Sequence, residues 1–373
     1  MFSTPMPHSA PTCHEANAPR ASDVSNGASP IVRPRRSPRL RIGFITPCLA
    51  IGGVEHWLLG LVKYSQQELA WSVVVTSAQL VEPCMQATLD PFARVMIGEQ
   101  HLPAMLKSVD VVIAWGVHGL HRMIGGFDGP IVQVSHGMGA WTESFLESNR
   151  GVSSYCVAVS RAAATAFRHS DVTVILNGVD RERCLPLRPR DVVRQEWGLA
   201  PTEVAVGFVG RLSPEKNPLA ASEAVRALGA GYRAVYVGKG YGVDMRPAAR
   251  DISPSAIFVP PMHQIGDAMN ALDCMIMASP AEGFSLALVE CLVAGLPLVT
   301  TEVGGVPDLR REHEISFVTV PINPTPEELA RAVRQAIRPA QRPLIESARA
   351  IALGSYTAEV MTRKWVDYLR AIA

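Results

Sequence analysis

Asp273-Cys-Met-Ile-Met-Ala-Ser-Pro280, Ala281, Glu282-Gly-Phe-Ser-Leu-Ala-Leu-Val-Glu290 and a closing Gly295-Leu-Pro297 form the stretch that decides the fold. The first piece is a short apolar run ended by turn residues, the pattern of a buried strand and its exit. Ser285 to Ala294 has helical spacing and no breaker. Glu282 therefore falls in a strand-to-helix loop, and Glu290 falls in the helix that this loop opens. A helix start offers amides without intrahelical partners and the positive end of a dipole, so it suits an anion. Two acids flanking such a place point to a ligand carrying phosphate and hydroxyls together, and a sugar nucleotide fits.

Outward from this stretch, strands and helices alternate. Toward the N-terminus the strand candidates are 41–46, 72–76, 110–114, 131–134, 155–159 and 172–176, with Gly52-Gly53 opening an amphipathic stretch to about Gln67. After the polar segment Asp180–Gly198 a second series begins at 204–209, 233–237, 256–259, 273–278, 297–301 and 315–320. Helical stretches lie between, near 217–229, 265–272, 285–294 and 325–337. Such alternation predicts α/β architecture, with parallel sheets covered on both faces. The expected organisation is a Pro/Ser/Arg-rich disordered leader at 1–38, a Rossmann-like domain at 39–185, a second at 186–355 and a C-terminal helix at 356–373. The two domains face each other across a cleft, and the last helix returns to the first domain. Ligands of such sheets sit at the carboxyl ends of the strands, which makes the cleft the expected site.

Composition narrows the function. The chain has 373 residues, 48% of them apolar and 18% charged, with a formal net charge of +1. That balance gives no reason to expect a nucleic-acid partner. Cysteines at 13, 48, 84, 156, 184, 274 and 291 show no C-x-x-C pair, which argues for a reducing compartment over a disulfide framework or a zinc site. No apolar stretch approaches the roughly 18 residues that span a bilayer. The expected location is the cytoplasm. Arg33, Arg35, Arg36, Arg39 and Arg41 offer weak peripheral contact with an anionic membrane face.

The remaining motifs supply charge and close approach. Val209-Gly-Arg-Leu-Ser-Pro-Glu-Lys-Asn-Pro218 follows the first strand of the second half. Gly210 lets a ligand approach the backbone, and Arg211 and Lys216 can clamp phosphate oxygens as a fork and a point charge. The plainer reading of this loop is solvated surface charge. Val237-Gly-Lys-Gly-Tyr-Gly242 lacks the third glycine of a dinucleotide fingerprint, since Val243 occupies that place, and it reads as a tight turn. His136 stands at the carboxyl end of a predicted strand, and Gly52-Gly53-Val-Glu55 stands at the matching edge of the first. No Asp-x-Asp occurs, so paired carboxylates of that kind are not there to hold a divalent metal. No metal is expected, and no cofactor beyond a nucleotide-diphosphate sugar as donor.

Together these motifs resemble the retaining glycosyltransferases of the two-Rossmann-domain (GT-B) type, family 4, from about residue 39 onward. The markers are Gly52-Gly53-Val-Glu55, Asn177-Gly-Val-Asp180, Gly210-Arg211 with Lys216, Gly238-x-Gly240, Glu282…Glu290 and Gly304-Gly305-Val-Pro307. The resemblance implies that Glu290 holds the donor ribose and Glu282 the hydroxyls of the transferred sugar. Arg211 and Lys216 would stabilise the departing diphosphate, with the amides of Phe284, Ser285 and Leu286 beside Gly283. His136 would contact the donor sugar near the reacting carbon, and the Pro260–Met262 loop would read the base. Gly52, Gly53 and Gly210 would allow close approach of the donor.

It also implies transfer with retention to a glycan, lipid-linked or small-molecule hydroxyl. Ser285, Pro261 and Lys239 depart from the family's usual residues. A catalytically silent scaffold and a sugar-nucleotide epimerase of the same architecture are the alternatives. The incomplete glycine fingerprint disfavours a nicotinamide dehydrogenase.

Overall fold

The computed structural model describes residues 39–168, 171–240 and 243–373. The leader at 1–38, with Arg33, Arg35, Arg36 and Cys13, lies outside the described residues, as do Tyr241 and Gly242.

Thirteen strands are found among the described residues, in two sheets. The first holds β1 (Leu40–Thr46), β2 (Leu69–Val75), β3 (Arg94–Ile97), β4 (Val111–Ala114), β5 (Ile131–Ser135), β6 (Tyr155–Ala158) and β7 (Val172–Val174). Their spatial order is β3-β2-β1-β4-β5-β6-β7. The second holds β8 (Val204–Val209), β9 (Tyr232–Val237), β10 (Ile257–Val259), β11 (Cys274–Met277), β12 (Leu298–Thr301) and β13 (Val318–Val320), in the order β10-β9-β8-β11-β12-β13. Every pairing is parallel, as in Ile42 with both Trp71 and Val111, or Val206 with both Ala234 and Cys274. Both orders reverse direction beside their first strand, at β1/β4 and at β8/β11, and crevices open at such switch points.

β3 is an element the sequence reading missed, because Arg94-Val-Met-Ile97 sits at the sheet edge with an exposed first residue and a buried face of one side chain. The segment Asp180–Gly198, read as polar linker, contains two helices, Arg181–Cys184 and Arg190–Glu196. Asp180 caps the first by accepting from the Glu182 amide. Both pack on the Ile265–Ala271 helix. Residues 181–196 are thereby tied to the second lobe.

The Leu286–Ala294 helix explains much of the second lobe. Ser285 caps it through a hydroxyl that accepts from the Leu288 amide, and Gly295, at φ +70°, ends it. It is buried nearly all round, with the Arg342–Ser355 helix on one side. The Ala358–Ile372 helix crosses back to the first lobe and packs on the Gly53–Tyr64 helix, where the Trp57 and Trp365 rings meet edge-on at 5.4 Å. Its entry is tight. A Cβ on Gly178 would fall 2.1 Å from the Thr357 carbonyl oxygen, so the crossing strands can pass only at glycine. One hydrophobic core cluster runs through both lobes, from Ile42 and Trp57 to Met275, Val289 and Trp365.

Candidate active site

The sheet order places the two motif loops of the second lobe side by side. β8 and β11 are neighbours, so the loop after β8, carrying Arg211 and Lys216, lies against the loop after β11, carrying Glu282. The two loops thus belong to one sheet. Lys216 Nζ donates to Glu282 Oε2 at 2.6 Å, with the carboxylate buried and the ammonium partly open. Arg211 reaches Glu215 at 3.5 Å, and its side chain is 45% exposed. Gly210, at φ +145°, turns the chain out of β8. A Cβ on Gly238 would strike the Gly210 carbonyl at 1.9 Å, so the turn after β9 is packed directly on the basic loop.

Glu290 is the one charged side chain on an otherwise apolar buried helix, and it is 5% exposed. Such a carboxylate needs a partner. Arg183 provides one, donating from Nη1 to Glu290 Oε1 at 2.7 Å while its Nε donates to the His263 carbonyl. The second acid is therefore held by an ion pair that the sequence reading did not contain. Asp180 ahead of Arg181-Glu-Arg183 was the available signal, since it marks a helix start.

A small, partly open pocket lies at the start of the Leu286–Ala294 helix, lined by Glu282, Phe284, Ser285, Gly305 and Val306. The Phe284 ring is buried against Gly305, and its carbonyl accepts from Asn177 Nδ2 at 3.1 Å. Phe284 and Leu286 thus serve as core side chains, which leaves only their backbone for a ligand. Met262 packs half-buried on the main core. His263 next to it faces His56 of the first lobe, with ring centroids 6.4 Å apart.

The first lobe also meets this arrangement through backbone. A Cβ on Gly283 would meet the His136 carbonyl oxygen at 2.0 Å, so the loops after β5 and β11 touch through backbone. His136 lies between the rings of Trp57, at 4.5 Å, and Trp115, at 6.0 Å. Burial pushes its imidazole down to about 3, and Nε2 has no hydrogen-bond partner among the described residues. It is a neutral ring with an unused polar atom. Gly52 precedes the Gly53–Tyr64 helix; a Cβ on Gly53 would meet nothing within 4 Å, whereas one on Gly52 would meet the Glu55 carboxylate at 2.7 Å.

Glu55 is buried and accepts from the Ala50 amide. Burial pushes its carboxyl up, and the charge of Arg211 acts against that shift, which puts the two lobes' loops within Coulomb reach. Lys239 pairs with Glu82 across the same divide. Arg41, read as part of a basic cluster, is paired with Asp110, and Arg39 donates to the Gln66 carbonyl. Among the described residues no three His, Cys, Asp or Glu side chains converge as a metal site, and no helix is long and apolar enough to cross a membrane.

Comparison with known proteins agrees with this geometry. Residues 203–338 match the family described as Glycosyl transferases group 1. A GDP-mannose-dependent alpha-mannosyltransferase of Mycobacterium tuberculosis is 30% identical over 47% of this chain and 45% of its own length. A D-inositol 3-phosphate glycosyltransferase of Rhodococcus erythropolis is 34% identical over 36% of this chain and 34% of its own. The matches thus span less than half the length of these relatives. Anabaena Alr3699/HepE, solved in complex with UDP-glucose, superimposes with a TM-score of 0.76 at 20% identity, covering 89% of this chain and all of that one. Residues 203–338, most of the second lobe, thus resemble the glycosyl transferases group 1 family, and the whole has the two-sheet GT-B fold.

Proposed function

We propose that the protein is a retaining glycosyltransferase that moves a sugar from a nucleotide-diphosphate donor to a hydroxyl acceptor without a metal ion. The observation that carries this reading is the Lys216–Glu282 pair beside the capped start of the Leu286–Ala294 helix. A lysine, an exposed arginine and helix amides surround one spot, with a carboxylate attached to the lysine. Breaking a sugar–phosphate bond builds negative charge on the diphosphate, and fixed cations and amides aimed at it lower the barrier. Lys216 and Arg211 meet the diphosphate in this reading, and Glu282 orients the sugar's hydroxyls. Glu290 offers its second oxygen to the ribose while Arg183 keeps the first. The neutral imidazole of His136 contacts the sugar from the other lobe. The backbone contact at Gly283 brings the lobes together and limits access of water to the bond being broken.

The relatives' names favour a hexose donor on GDP or UDP, and the acceptor is a glycan, a lipid-linked chain or a small molecule. The work is placed in the cytoplasm, with at most peripheral membrane contact. Thermal unfolding with GDP, UDP, ADP, GDP-mannose and UDP-glucose tests the reading. A rise in Tm with one base and its sugar supports it. No shift with any of the five favours the silent scaffold.

A further inference from the structure

The carboxyl edge of the first sheet carries an aromatic surface that the donor chemistry does not use. Trp141 is 53% exposed and Met138 42%, both in the segment that follows His136. β1, β4 and β5 are adjacent and end at Thr46, Ala114 and Ser135. The Trp141 indole reaches the loop that leaves β4. A Cβ on Gly116 would sit 3.1 Å from the Pro47 ring and 3.3 Å from Trp141 Cη2, and Gly116 itself has φ +70°. Trp141 is braced edge-on by Phe145 at 5.0 Å and by Trp115 at 5.8 Å, and Trp115 in turn stands 6.0 Å from His136. An indole held in this way is a rigid platform, since its rotamer is set by packing before any ligand arrives.

We propose that Trp141, with Trp115 beside it, is a stacking subsite for an uncharged pyranose ring of the acceptor. The proposal rests on the glycosyltransferase reading, because it places that ring next to His136. A pyranose presents C–H groups on one face, and the electron-rich face of an indole attracts them while the ring's hydroxyls stay in water. The helix that carries Trp141 favours a neutral ligand. The Ala140–Ser148 helix bears no lysine or arginine, and its Glu143 and Glu147 are paired with Arg168 and Arg150. An anionic lipid headgroup or a phosphorylated sugar finds no cation on this helix.

Saturation-transfer NMR on the full-length protein, with methyl α-D-mannopyranoside, methyl α-D-glucopyranoside and octyl glucoside as separate probes, tests this subsite. Saturation of the pyranose ring protons is expected in the wild type. It should fall about tenfold in Trp141→Ala and persist in Trp141→Phe, which keeps an aromatic face on Phe145. The proposal is overturned if neither methyl glycoside is saturated, if Trp141→Ala leaves the signal unchanged, or if octyl glucoside receives saturation only along its alkyl chain. The nucleotide-induced rise in Tm is measured separately on the wild type. Loss of that rise speaks against the transfer reading, whereas loss of ring saturation speaks against this subsite.

Discussion

The two switch points share a topology and differ in everything else. At β8/β11 the loops carry Arg211, Lys216 and Glu282, and the nearby helix start adds a dipole. At β1/β4 the loops carry Pro47, Gly116, Trp115 and, from the neighbouring strand, His136 and Trp141. One end is organised by charge pairs and the other by ring packing. The shared reversal of strand order therefore specifies where a crevice opens, while the loop residues specify its chemistry. In the proposed reading a charged diphosphate belongs to the first kind of end, and a neutral ring with hydroxyls to the second.

Substitutions that remove one charge should affect the second lobe most. Arg183→Ala leaves Glu290 buried without its partner and should cost about 3–5 kcal/mol of stability, the usual effect of breaking a buried pair. Urea unfolding measures it, and a loss below about 1 kcal/mol would mean that Glu290 does not depend on Arg183. Lys216→Ala should lower turnover at least about tenfold, since a charge-assisted contact contributes roughly 1.5–3 kcal/mol. Near-normal transfer by this variant would remove the phosphate role from the basic loop.

The first lobe should respond to pH through its buried rings. Burial holds both His56 and His136 down to about 3, against an ordinary value of 6.5. The unfolded chain takes up these protons as pH falls below 6.5 and the folded chain does not. Stability is therefore full above 6.5 and declines as pH falls toward 3, by up to about 1.4 kcal/mol per pH unit for each ring. The fall in Tm over this range should be shallower in His56→Phe, and an equal slope in that variant would clear His56 of the effect.

The smallest stability change belongs to Arg211→Ala. Its pair with Glu215 is exposed on both sides and should contribute at most about 1 kcal/mol, so Tm should hardly move while turnover falls. A large drop in Tm would show that Arg211 is structural.

Much of this arrangement was legible in the chain because it depends on short-range rules. Apolar runs bounded by turn residues mark twelve of the thirteen strands found, and the edge strand β3 escaped because half its surface faces solvent. Ser285 and Gly295 delimit the Leu286–Ala294 helix by capping and by a left-handed backbone, both readable locally. The motif residues Lys216, Glu282, Glu290, Gly283 and His136 were also visible by type and position.

The sequence by itself determined the elements, their alternation and the residue types at the strand ends. Tertiary structure alone decided the partners: Lys216 with Glu282, Arg183 with Glu290, Gly283 with the His136 carbonyl, and Trp141 over Gly116. Periodicity and capping act within a few residues, and their signal is present in any window of the chain. Which loops become neighbours depends on strand order, and that is set by burying both faces of two sheets at once. Partners 66 and 107 residues apart are brought together only by that packing.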